Sequence, residues 1–140
     1  MFNPSRDQAR QFFFDTWARY RDGAPIEGLA TQAAEIILMH PEYHALLAQP
    51  ENASGRDYTP ESGVGNPFLH LSLHLAIAEQ LGIDQPSGIR HEFQRLLAAA
   101  GDRHDALHAL LDCLGETIWA SQRGGTPPDT AAYLECIRRK

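Results

Sequence analysis

Cysteine is scarce in this chain, with two residues, Cys113 and Cys136, among 140. They form no C-x-x-C pattern, so a secreted disulfide framework is set aside and reduced thiols of a cytosolic protein are expected. Basic residues are also few, with 12 Lys plus Arg against 18 Asp plus Glu and a formal net charge of −6. An acidic chain without a basic run matches a phosphate backbone poorly, which excludes nucleic acid as a partner. Long apolar runs are missing. The most apolar stretch, Phe68 to Ile83, is broken by His70, Ser72, His74, Glu79 and Gln80, and it is shorter than the ~20 residues a spanning helix needs. The opening MFNPSRDQARQFFFD has no apolar core and no small-residue cleavage site, so neither a signal peptide nor a membrane partner is expected. The expected location is the cytoplasm.

Alternation of apolar and polar residues is absent too, which argues against strands. No glycine-rich phosphate loop, no G-x-S-x-G elbow and no H-E-x-x-H occurs, and His91-Glu92 lacks its second histidine. Paired E-x-x-H motifs of the ferritin-like di-iron kind are missing, with Asp105-x-x-His108 as one imperfect relative. What is present is 43% hydrophobic and 21% charged residues over 140 positions, enough for one domain, residues 1–140, that needs no staple.

Helical spacing organises that material. Ser5 and Gln8 form a capping-box pattern before a first helix that Gly23 ends, with Phe12, Phe13, Trp17 and Tyr20 as an aromatic stripe docked on the core. A second helix is expected from about Glu27 to Met39, and Pro41 opens a short one, PEYHALLA. Residues 50–66 show no period and read as one long loop, either a lid or a plain connection. Asn66 and Pro67 open a third helix that reaches Gly82. A fourth runs from about Ile89 to Ala100, and Asp102 caps a fifth that Gly124-Gly125 ends; a short helix from Thr130 to Arg139 closes the order. The expected fold class is all-α, a single-domain helical bundle of four main helices plus short helices and one long loop.

Histidine is the unusual ingredient. Of seven, six fall into three pairs spaced by four: His40/His44, His70/His74 and His104/His108. Random scatter would give roughly 0.6 such pairs. Residues i and i+4 share a helix face, so both rings can reach one ion, and neutral imidazole is a preferred ligand for Zn, Fe, Ni and Cu. The third helix carries His70 and His74 in an environment of Phe68, Leu69, Leu71, Leu73, Leu75 and Ala76, and a helix apolar nearly all round is expected at the centre of a fold. Two rings there need partners, either carboxylates and carbonyls of neighbouring helices or a metal ion. On the fifth helix His108 and Asp112 border the seam Leu107, Leu110, Leu111, Leu114 and Ile118, with Glu116 beside them. Pro41 weakens the His40/His44 pair, leaving His44 to point inward alone; His104 is balanced between solvent and site, and His91 reads as surface. Cys113 lies near His108 in register, and an inert buried thiol is the commoner role for such a residue.

Four blocks carry a resemblance: FNPSRDQARQFFFDTWARY, HPEYHALL, YTPESGVGNPFLHLSLHLAIAEQ and CLGETIWASQRGGTPPD. Through them the chain resembles, end to end, a bacterial family known as domain of unknown function eighteen forty-one. That resemblance implies a small helical cytoplasmic protein and no particular activity. A looser similarity is to DinB-type metal-binding helical bundles, whose order of one His followed by H-x-x-x-H fits His44 with His70 and His74, whereas Leu75-Ala76-Ile77 departs from their usual polar residues.

Two functions follow. The first is a divalent transition metal, Zn, Fe or Ni, held by His70, His74, His44 and His108, with Glu116 or Asp112 completing the coordination or orienting a ring. An open coordination position would serve catalysis, although no catalytic residue is assignable and the substrate, if any, is unnamed. The second is a non-enzymatic interaction or structural module whose buried histidines are satisfied by hydrogen bonds. A small-molecule ligand, a protein partner and a homo-oligomer are compatible with both.

Overall fold

Caps and apolar spacing decide where each helix begins and ends. In a computed structural model, which describes residues 6–53 and 66–140, every α or 3-10 element is helical and no strand occurs among those residues. The fold is all-α. The chain divides into two compact units, the first reaching Leu75 and the second starting at Ala76.

The first unit contains α1 (Arg6–Arg21), α2 (Leu29–Leu38), a 3-10 turn over Pro41–Tyr43, α3 (His44–Leu47), α4 (Pro50–Ala53) and the first half of α5 (Pro67–Ile83). The capping role expected of Ser5 lies outside the described residues. On α1 the buried face is Phe13, Phe14 and Trp17, while Phe12 is half-buried and Tyr20 exposed. Phe14 meets the Phe68 ring of α5 edge-on at 5.6 Å. On α2 the buried residues are Ala33, Ala34, Ile36 and Ile37. Asn66 caps α5 as expected, its Oδ1 accepting from Phe68 N at 3.0 Å and Leu69 N at 3.1 Å. The stretch expected as loop from residue 50 begins with the short α4, and its positions 54–65 lie outside the described residues. Leu69 is 55% exposed, so α5 is not apolar-buried all round. Its buried residues include Phe68, Leu71, His74, Leu75 and Ile77, and the residues left exposed, Leu69 and Ile83, are apolar as well.

The second unit holds the rest of α5 with α6 (Ile89–Ala100), α7 (Arg103–Gly124) and α8 (Thr130–Arg138). Asp102 caps α7 by accepting from Asp105 N at 3.1 Å. Gly125, at φ +65°, ends it in the left-handed region that an L side chain enters at a cost. Leu107, Leu110, Leu111 and Leu114 are buried along α7, as the seam predicts. The nine-residue α8 is too short to persist alone, so packing must hold it. It buries Tyr133 and Ile137.

The expectation of reduced cysteines is corrected here. Cys113 and Cys136 form a disulfide between α7 and α8, with Cα atoms 5.7 Å apart, inside the range of about 4.4–6.8 Å such bonds use. The sequence reading missed it because two cysteines far apart in the chain pair only after their helices dock.

Tyr133 supplies a second tie, its hydroxyl donating to Gln80 Oε1 at 2.7 Å. Burial pushes this hydroxyl well above its ordinary value. The folded value therefore exceeds the unfolded one, so the contribution of Tyr133 is complete below about pH 10 and is lost as pH rises past it. Tyr133→Phe is expected to cost about 1 kcal/mol at neutral pH and to flatten the alkaline loss of stability. Melts at about pH 8 and pH 11 check this, and an equal alkaline fall in parent and variant would refute it.

Candidate metal centre

His40 continues the buried stripe of α2. Ala33, Ile36, Ile37 and His40 stand at i, i+3, i+4 and i+7, so the ring is carried inward and is 3% exposed. Its Nδ1 lies 2.8 Å from the Ile36 carbonyl oxygen. A nitrogen facing a carbonyl must carry the proton, so Nδ1 donates and Nε2 keeps its lone pair. This is the arrangement metal-ligating histidines commonly adopt, with one nitrogen anchored to backbone and the other presented. The ring of Tyr43 stacks on His40 at 5.4 Å with 7° between planes. Burial, and then the neighbouring Glu42 charge, raise the Tyr43 hydroxyl above its usual value, so it stays protonated at neutral pH.

α5 brings its own pair. The centroids of His40 and His70 are 4.9 Å apart, those of His40 and His74 4.7 Å, and those of His70 and His74 4.9 Å. His70 Nε2 stands 3.1 Å from His40 Nε2. Because the latter holds a lone pair, His70 is the donor of that bond. His74 is 2% exposed. On α7, His104 and His108 face each other at 4.2 Å between centroids, one helical turn apart as their spacing predicts.

Two pairs of ring nitrogens approach within 4.8 Å, His40 with His74 in the first unit and His104 with His108 in the second, and each pair offers two ligand atoms to a metal ion. The set is all imidazole, which suits Zn, Cu, Fe or Ni and not the oxygen-seeking Mg and Ca.

Of the residues expected at the site, His74 and His108 each belong to one of these pairs. His70 is bonded to His40 and stands outside both pairs. His44 points its Nε2 at the Ile37 carbonyl oxygen, 2.9 Å away, and lies against the Trp17 ring at 4.3 Å. Asp112 is exposed and pairs with Lys140 Nζ at 3.6 Å. Glu116 Oε2 lies 3.5 Å from Cys136 Sγ. His40 and His104 were not among the residues expected at the site. The α2 stripe carried the signal for His40, because that row of residues ends on it; for His104 the i, i+4 spacing to His108 was the signal.

A family model described as Domain of unknown function (DUF1841) matches residues 5–139. The chain belongs to DUF1841. The matched span of this DUF1841 chain includes both histidine pairs. No curated protein and no solved structure matches it. No helix among its described residues is long and apolar enough to cross a membrane.

Proposed function

We propose that this DUF1841 chain binds a divalent transition metal ion, Zn, Fe or Ni, through paired histidines, His40 with His74 in the first unit and His104 with His108 in the second. The supporting observation is the approach of ring nitrogens within 4.8 Å in each pair, His40 with His74 and His104 with His108. Anchoring of His40 Nδ1 on the Ile36 carbonyl supports it further, because it fixes the tautomer that presents Nε2. The lone pair of His40 Nε2 accepts from His70, so an ion held by His40 takes the place of that bond, and His44 fastens α3 to the end of α2. Asp112 and Glu116, expected as ligands or orienting groups, have contacts of their own with Lys140 and the disulfide.

Elemental analysis of untagged protein tests the proposal. At least one equivalent of a transition metal is expected, and none across Zn, Fe, Ni and Mn overturns it. A chelator is then expected to lower the melting temperature, since an ion at a hundredfold excess over its Kd adds about 2.7 kcal/mol. The second reading, a non-enzymatic module, is favoured by the hydrogen bonds that already satisfy His40 and His44. It requires a melting temperature that chelator leaves unchanged.

A further inference from the structure

The disulfide belongs to neither reading. It ties α7 to α8 at one point, and its two ends differ. Cys113 is wholly buried, whereas Cys136 is half-exposed. A thiolate from solution therefore has one sulfur to attack, that of Cys136, with Cys113 as the leaving group. α8 also packs along α7 and touches α6. Tyr133 and Ile137 are buried, Tyr133 is bonded to Gln80, and Arg95 Nη2 donates to the Ile137 carbonyl at 3.0 Å. The ion pair of Lys140 with Asp112 at 3.6 Å is exposed, where such pairs hold little, and Arg138 reaches the half-buried Glu92 at 4.0 Å. A helix of nine residues, joined to α7 through Gly125-Thr126-Pro127-Pro128-Asp129, is too short to persist alone, so its place depends on this packing and on the disulfide together.

We propose that Cys113–Cys136 is a reversible redox site at which a small thiol reductant of the glutathione class releases α8, and the corresponding disulfide re-docks it. The thiolate R–S⁻ attacks Cys136 Sγ, the Cys113–Cys136 bond breaks, and a mixed disulfide forms on Cys136 while Cys113 takes up a proton. A second thiol resolves the mixed disulfide. The sum is protein disulfide plus two R–SH giving two protein thiols plus R–S–S–R, so two electrons and two protons pass to the protein. In the dithiol form α8 opens on its tether, exposing Tyr133 and Ile137 along with the faces of α6 and α7 that they cover.

The full chain, equilibrated against a series of reduced-to-oxidised glutathione ratios, tests this. Alkylation and mass spectrometry read the disulfide fraction, and hydrogen exchange reads the amides of residues 130–138. The expected result is full interconversion, with protection of those amides falling at least ~tenfold in the dithiol form and the amides of α6 and α7 unchanged. Cys136→Ser, placed at the half-exposed end so that the core is untouched, is expected to show the open exchange pattern without reductant. Any of four outcomes overturns the proposal: free thiols at every ratio, a disulfide that no ratio reduces, equal protection of α8 in both forms, or loss of the whole far-ultraviolet helical signal on reduction.

Discussion

A variant carrying His74→Ala and His108→Ala is expected to purify with its helical signal intact and with about a tenth or less of the parent's metal. The reasoning is one of counting. The double variant takes one ring from each histidine pair, and losing even an outer hydrogen bond to a ligand costs 10–100-fold in affinity. His70→Ala separates the roles. It removes the donor that occupies the His40 Nε2 lone pair at 3.1 Å and leaves His40 and His74 in place, so metal binding is expected to persist at the parent level or to tighten. His91→Ala, on the exposed face of α6, serves as the neutral control. Parent-like metal content in the double variant, measured by elemental analysis after buffer exchange, would remove His74 and His108 from the centre.

The second large effect is structural. Trp17 is buried on α1, against Tyr20 at 5.5 Å and the His44 ring at 4.3 Å. Trp17→Ala is expected to cost ~3–5 kcal/mol, from lost apolar burial plus the cavity left behind. It also strips the stacking partner from His44, whose Nε2 donates to the Ile37 carbonyl, so α3 loosens where it meets the end of α2. Chemical denaturation reads the loss. In whatever fraction still folds, metal stoichiometry is expected to match the parent, because Trp17 belongs to neither histidine pair. A stable Trp17→Ala protein that fails only in metal binding would mean that the aromatic stripe is a binding face.

What was legible in the sequence was local. Asn66 and Asp102 announced their helices because capping is a contact between residues two or three apart. The ends of α6 at Ile89 and Ala100 fell where glycines flank them. His74 and His108 were readable for the same reason, each being half of an i, i+4 pair. What was not legible needed contacts across distance in the chain. Cys113 and Cys136 carried no spacing motif, and only the docking of α8 on α7 brings their Cα atoms to 5.7 Å. His40 was discounted because Pro41 interrupts its pairing with His44, yet its place is set from the other side, by the α2 stripe that ends on it. Leu69 misled in the opposite direction, since an apolar letter does not say whether a neighbour covers it.

α5 is braced at both ends by side chains. Asn66 receives two of its first free amides, and at the far end Arg90 reaches back with Nε to the Leu81 carbonyl at 2.7 Å and Nη2 to that of Gly82 at 2.6 Å. A lysine could not span both carbonyls, because only the planar fork of arginine presents two donors side by side. Helices ordinarily fray from their ends, and each lost turn would tilt the rings of His70 and His74 relative to one another. With amides tied at one end and carbonyls at the other, the turn holding those two imidazoles is stiff before anything arrives. An incoming ion would then spend little of its binding energy on ordering the helix that receives it.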